Sequence, residues 1–352
     1  MPVDPSLVQR ISDATGFQAE IVEQILHLKS VLKMINDDPV LKGRFVLIGG
    51  TAINLFDKDI PRLSVDIDLD YVHKGRQSFT HDVIEKHLSR FQRIASSLDM
   101  SCYDKRTVDE RSVDKLRLIF EYNANYSRDT GTVKLDISYL MKATIFKPVK
   151  RTMNLLHSSD PFKRFKLLVA DTSELWAGKA LALVYKTAKD PNKKEVSDLY
   201  SMQIARHLFD VSRFQYKLQR QNAAIDAKHL CLAFILKGSS RLRDLYLFSG
   251  EGIRKCSEKQ IKTELDPYLK QLDNNTDGSP RPSLKKMIKL SREFLFKVCS
   301  NSWTNKEKQF VEEFQENSVY KPELLFGKRS QEYKRLSNNE YLRMAAKKML
   351  GK

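Results

Sequence analysis

Three alternating aspartates constrain what this chain can fold into more than any other feature. Between Val65 and Tyr71, the apolar residues Val65, Ile67, Leu69 and Tyr71 alternate with Asp66, Asp68 and Asp70. A period of two belongs to a β-strand, whose successive side chains point to opposite faces. The apolar set must then face a core, and the carboxylates share the other side at steps of about 6.6 Å. Like charges so placed repel unless a cation or solvent screens them. A pair of Mg2+ ions is a natural screen, because Mg2+ favours one or two carboxylates plus substrate phosphates over a closed protein cage. Two metals so held stabilise both the attacking and the leaving oxygen of a phosphoryl transfer. Taken alone, an alternating acidic strand is also what a solvated sheet face looks like.

The segment just upstream narrows the choice. Phe45-Val46-Leu47-Ile48 is a short apolar run that ends in Gly49-Gly50, which reads as a buried strand followed by a tight turn. A short helix begins at Thr51. Glycines let a backbone approach a ligand closely, and N–H groups at the start of a helix favour phosphate oxygens. Ser64, just ahead of the acidic strand, can add a hydroxyl. A lone Gly-Gly is ordinary punctuation, but strand, Gly-Gly and helix ahead of an Asp-x-Asp strand make a far rarer coincidence.

Gly49-Gly50-Thr51-Ala52 followed by Arg62-Leu63-Ser64-Val65-Asp66-Ile67-Asp68 resembles the signature of the AbiEii/AbiGii-type nucleotidyltransferase toxins, a group that takes in the MenT toxins. They lie within the polymerase-β-like superfamily. The resemblance implies that Gly49, Gly50, Thr51 and Ser64 hold a nucleoside triphosphate and that Asp66 and Asp68 ligate Mg2+. It also implies a third carboxylate on a neighbouring strand, which helps to hold the metal and accepts the proton of the attacking hydroxyl. Asp136 fits that position, since Val133, Leu135 and Ile137 alternate with it. The runs 116–122 and 133–139 both read as strands, joined by a polar link into an antiparallel hairpin. An exposed strand aspartate is the plainer reading of Asp136 by itself.

Two further positions come from helical segments. Lys179 is the only charge between Leu175 and Tyr185 and shares a helix face with Leu175 and Leu183. A lysine there needs a partner or a route to water. Snorkelling to the surface is one reading; a cation on the triphosphate is the one the resemblance implies, from Ala177, Lys179 and Ala182. Ala205-Arg206-His207-Leu208-Phe209-Asp210 resembles a second family motif, with Asp210 in place and His207 where an acid is the rule. Arg206 and Asp210 are also spaced for an i,i+4 ion pair.

Helical periodicity over 1–42, 79–98, 173–188, 195–218, 226–237 and 285–299 completes the outline. The predicted fold class is α+β, with a polymerase-β-like nucleotidyltransferase domain on a small mixed sheet at 1–165 and a mostly α-helical, basic domain at 166–352. The segment 274–282 reads as a loop. Four scattered cysteines without a CxxC argue against a zinc site or a disulfide framework.

The charge balance points to the partner. Sixty-one Lys and Arg against 44 Asp and Glu leave a net charge of +17, which favours polyanions. No stretch approaches the ~20 apolar residues of a spanning helix, and the N-terminal residues lack the apolar core of a secretory signal. A cytoplasmic protein with RNA as its polyanion is the expectation, and no membrane partner. Basic clusters at 143–166, 186–194, 213–220 and 328–352 fit that, although charge runs are usually solvated faces.

The resemblance makes the acceptor a tRNA 3′ end and the protein the toxin of a toxin–antitoxin or abortive-infection pair, with a cognate antitoxin as partner. Two alternatives stand beside it: the same transfer to a small molecule or protein side chain, and a non-catalytic nucleic-acid-binding protein on this scaffold.

Overall fold

The computed structural model describes residues 3–56, 62–73, 79–105, 115–127, 130–158, 160–162, 165–188, 198–221, 227–239, 283–299, 303–339 and 342–343, with single positions between 259 and 269. The segment 274–282 and the end of the basic tail lie outside them. The chain divides into two compact units, Met1–Ala170 and Asp171–Lys352.

The first unit is built on a seven-stranded mixed sheet. Its strands are β1 (Phe45–Ile48), β2 (Asp66–Tyr71), β3 (Ser101–Asp104), β4 (Lys115–Tyr122), β5 (Gly131–Ser138), β6 (Val149–Thr152) and β7 (Lys166–Val169), in the order β3-β4-β5-β2-β1-β7-β6. The expected hairpin is β4 against β5, antiparallel, with Arg117 opposite Asp136. β2 runs antiparallel to β1 and parallel to β5. Three strands are additions to the sequence reading. β3, β6 and β7 have four residues each, too few for a period of two to stand out, and β6 reads Val-Lys-Arg-Thr within what looks like a basic cluster. β7 begins at Lys166, the first residue of the expected helical domain, and pairs with β1 and β6 in the sheet.

Among the described residues four helices complete this unit: α1 (Pro5–Thr15), α2 (Ala19–Asp37), α3 (Gly49–Asn54) and α4 (His81–Ser97). α1 starts on Asp4, whose side chain accepts from the Ser6 amide, the usual means of satisfying an orphan N–H at a helix start. α2 is buried over much of its circumference, including Glu23, His27 and Lys29. Each of these has a partner. Glu23 accepts from the Asn125 amide at 3.0 Å and from Asn125 Nδ2 at 2.6 Å. His27 stacks on Tyr122 at 3.8 Å between ring centroids. Lys29 pairs with buried Asp160 and donates to the Asn154 carbonyl at 3.0 Å. Gly131, opposite Tyr122 in the ladder, leaves room for the Tyr122 ring, which a Cβ there would strike.

An aromatic cluster ties α4 to the centre of the sheet. Phe45 meets His87 at 5.2 Å and Phe91 at 5.7 Å, and Tyr71 meets Tyr139 at 5.0 Å. His87 Nδ1 and the Tyr139 hydroxyl share a hydrogen bond of 3.0 Å. Burial holds the imidazoles of both His27 and His87 down to about 4, so both stay neutral in the folded chain. The unfolded chain takes up protons near pH 6.5 that the folded chain refuses until about 4. Stability is therefore full above pH 6.5 and is lost as pH falls toward 4, by up to about 3 kcal/mol per histidine. We expect urea midpoints to fall between pH 7 and 5, and His87→Gln to flatten that fall; an unchanged slope counts against the assignment.

The second unit is helical among its described residues: α5 (Thr172–Ala188), α6 (Asp198–Gln221), α7 (Ala227–Ser239), α8 (Leu284–Cys299), α9 (Asn305–Gln315) and α10 (Gln331–Leu336), with a 3-10 turn at Pro322–Leu324. Trp176 stacks on Phe214 at 3.8 Å, and Phe214 meets Phe294 edge-on at 5.5 Å, so α5, α6 and α8 share one core. α9 opens with a capping box between Thr304 and Glu307, which satisfies two orphan groups reciprocally. No helix among the described residues is long and apolar enough to cross a membrane.

Candidate active site

The pleat of β2 sorts its side chains as the alternation requires. Ile67, Leu69 and Tyr71 are buried at 0%, 3% and 1% exposure, while Asp66 and Asp68 are half-buried on the other face. Asp70 continues the acidic row but is buried. In the parallel ladder Asp68 stands beside Asp136, and Asp66 beside Lys134. The parallel pairing of β2 with β5 thus puts two of the three strand carboxylates that the sequence singles out, Asp68 and Asp136, in register on one polar face.

The glycine corner closes on the same place. Ile48, the last residue of β1, pairs with Asp68. Gly49 follows with φ of 73°, in the left-handed region that costs an L-residue about 1–2 kcal/mol. A Cβ on Gly49 would collide with the Asp68 carboxylate. Gly49 is thus demanded twice, by its backbone angle and by the side chain it faces. Gly49→Ala should lower stability by at least about 1 kcal/mol and displace Asp68. Its thermal midpoint and transfer rate should fall together; an active, equally stable variant would show that Asp68 tolerates the shift.

Thr51 follows the glycine pair in α3. It is fully buried, and its hydroxyl is shared between the carbonyls of Ser64, at 3.2 Å, and Asp66. Thr51 fastens α3 to the start of β2, which fixes where Asp66 and Ser64 sit. Ser64 itself is half-buried just ahead of β2. Arg62 is buried and donates to the Leu63 carbonyl at 3.3 Å.

Sequence reasoning passed over Arg117. Its guanidinium lies 3.6 Å from the Asp136 carboxylate, and both side chains remain partly exposed. The surrounding protein holds Asp136 above its ordinary carboxylate value, with Arg117 opposing and the like charge of Asp66 adding to the rise. The signal was present in the alternation of Leu116, Leu118 and Phe120, which leaves Arg117 on the polar face of β4.

Among the described residues no group of three or more His, Cys, Asp or Glu side chains is placed to hold a metal ion. The donor set is nonetheless the kind that suits Mg2+. That ion keeps open positions for substrate phosphates and needs only one or two protein carboxylates, and Asp66 and Asp68 stand beside a corner whose Cβ space is filled by a carboxylate.

The helical unit contains the other two residues. Lys179 and Asp210 are both buried and form an ion pair of 2.9 Å between α5 and α6. Lys179 neither snorkels to the surface nor depends on water for a partner, and Asp210 has a partner beyond its own helix. A second buried pair, Lys237 with Glu174 at 3.6 Å, links α7 to α5.

A mixed sheet that sets an Asp-x-Asp strand against a glycine corner is the frame of a nucleotidyltransferase. The family model described as the nucleotidyl transferase AbiEii toxin of a type IV toxin–antitoxin system matches residues 31–289. The chain belongs to that family and is a nucleotidyl-transfer enzyme, and membership implies an NTP substrate and an antitoxin partner. Among solved structures, MenT4, a nucleotidyltransferase toxin from Mycobacterium tuberculosis, shares the fold with a TM-score of 0.52 over 99% of each chain at 11% identity. JHP933 from Helicobacter pylori has a TM-score of 0.38 at 18% identity, covering 80% of this chain and 93% of its own. No curated protein matches the chain.

Proposed function

We propose that the chain transfers a nucleotide from an NTP to the 3′ end of an RNA, with tRNA as the acceptor, and that Mg2+ is its metal. The observation that carries the reading is the convergence of the Gly49 corner, Asp68 and Asp136 on one face of the sheet. Asp66 and Asp68 would hold the metal, and Asp136 beside them would help to hold it. When bound, the metal neutralises charge on the triphosphate and on the attacking and leaving oxygens.

The chain's own residues do the rest. Gly49 and Gly50 let the backbone lie against the phosphates, and Ser64 offers a hydroxyl. Thr51 holds both elements in place. The acceptor hydroxyl oxygen attacks the α-phosphorus, the bond to the β-phosphate oxygen breaks, and pyrophosphate leaves. Asp136, on the strand beside Asp68, takes the hydroxyl proton. Lys179 and Asp210 act through each other, as a buried pair that sets the α5–α6 packing.

The net charge of +17 favours RNA over a small-molecule or protein acceptor, and transfer of this kind would let a toxin block translation. The test supplies labelled NTPs and Mg2+ with intact tRNA, with tRNA whose 3′-terminal diol has been oxidised, and with no RNA. Label on intact tRNA alone is the expected result. Label on oxidised tRNA overturns the 3′-end assignment, and label on a protein band or small molecule without RNA overturns the RNA acceptor.

A further inference from the structure

Asn54 is a residue that stability alone would not choose. It closes α3 and has no solvent exposure. Its chain neighbours Ile53 and Leu55 are buried apolar residues. The side-chain Nδ2 donates to the Gly50 carbonyl at 2.9 Å, four residues back along the helix. The other half of the amide, Oδ1, is buried and has no hydrogen-bond partner among the described residues. An acceptor left unpaired in the interior costs its full desolvation, and an apolar side chain of the same shape avoids that cost. An unsatisfied group of this kind in a folded protein calls for an explanation. The donor half of the same amide supplies one.

We infer that Asn54 is a positioning residue for the nucleotide: its amide holds the Gly50 carbonyl, and through it sets the Gly49-Gly50 backbone against Asp68 and the triphosphate. The rest of α3 is fastened by other groups. Thr51 is tied through its hydroxyl to the carbonyls of Ser64 and Asp66. At the far end the Leu55 carbonyl accepts from the Asn154 amide at 3.0 Å, and the Asn154 carbonyl accepts in turn from Lys29. Gly49 and Gly50 have no side chains with which to be fastened, and Asn54 supplies the bond from one turn away. A helix of six residues is fewer than two turns, and so short a helix needs bonds beyond its own backbone ladder. Gly49, at φ of 73°, lies so close to Asp68 that a Cβ would collide with the carboxylate. A corner packed that tightly passes a rotation of the Gly50 peptide directly to Asp68. The inference rests on the reading that this corner holds an NTP, and adds which side chain keeps the corner in shape.

The experiment compares Asn54→Thr with Asn54→Val in the full chain. The two side chains have nearly one shape, and both remove Oδ1. Only threonine carries a donor, and its hydroxyl in a helix can reach the carbonyl four residues back, which from position 54 is that of Gly50. Binding of ATP, GTP, CTP and UTP with Mg2+ is measured by calorimetry and by the rise in thermal midpoint, and the transfer assay gives KM for the NTP. Asn54→Val should weaken NTP binding and raise KM roughly three- to tenfold, the scale of one net hydrogen bond. Asn54→Thr should stay within about twofold of the parent, because the bond to Gly50 is kept. Without ligand, Asn54→Val should melt no lower than the parent, since the unpaired acceptor has gone.

Parental NTP binding in both variants overturns the role of Asn54 and leaves the glycine corner standing. Equal losses in the threonine and valine variants also overturn it, since shape and not the donor is then at work. A lower ligand-free midpoint in Asn54→Val, with binding lost in proportion, assigns Asn54 to packing and overturns the inference. A parent chain that binds none of the four NTPs overturns the reading of the corner itself, and the inference with it.

Discussion

Replacing Asp66 and Asp68 together by Asn should reduce nucleotide transfer by at least about a thousandfold, the scale on which removal of preorganised charge at a reacting centre is felt. The same variant should fold as well as the parent, or better. The two carboxylates lie on the polar, half-buried face of β2, and Asn keeps their shape while removing their mutual repulsion. Stability and activity are thus expected to move in opposite directions, which no packing defect would produce. Mg2+ with NTP should raise the thermal midpoint of the parent and leave that of the variant unmoved, because only a state that binds ligand gains from it. Transfer that persists in the double variant would remove Asp66 and Asp68 from the chemistry.

The second large effect concerns the helical unit. Lys179 and Asp210 form a pair with side chains only 8% and 2% exposed. Removing one member strands the other charge in the core, at a cost of about 3–5 kcal/mol. Lys179→Met should therefore destabilise strongly, as should Asp210→Leu. The combined Lys179→Met, Asp210→Leu variant should recover most of the loss, because a buried ion pair is often matched by apolar side chains of similar volume. Its transfer activity then separates two roles that stability alone confounds. A stable double variant with near-parental transfer shows a pair that acts only through packing. A stable but inactive one shows that the lysine or the aspartate is required in the reaction itself. Additive losses in the double variant would mean that the two residues are not energetically coupled.

The site was legible where its signals are local. Ile67, Leu69 and Tyr71 had to turn inward, so Asp66 and Asp68 had to turn outward; the strand period alone dictates this. Gly49 was visible as the end of an apolar run, although its reason, an Asp68 carboxylate in the space a Cβ would occupy, was not. For Thr51 the motif suggests a phosphate contact, and the structure adds a task for its hydroxyl that the motif does not announce. A hydroxyl beside a glycine turn looks like a phosphate contact in one dimension, and only the packing of α3 on β2 reveals that it donates to the Ser64 and Asp66 carbonyls. β6 and β7 were missed because four residues exhibit too little of any period, and their strand state comes from pairing, β7 on β1 and β6 on β7.

By itself, then, the sequence determined the periods: which segments are helices, which face of β2 is acidic, and where the chain turns on glycine. Those follow from covalent geometry, since side-chain direction repeats every two residues in a strand and every 3.6 in a helix. Tertiary structure alone decided the pairings. Asp68 lies beside Asp136 because β5 adds parallel to β2, Arg117 reaches Asp136 because β4 adds antiparallel to β5, and Lys179 meets Asp210 because α5 packs on α6. No local period encodes these meetings, which are set by how long, separate segments bury their apolar faces together.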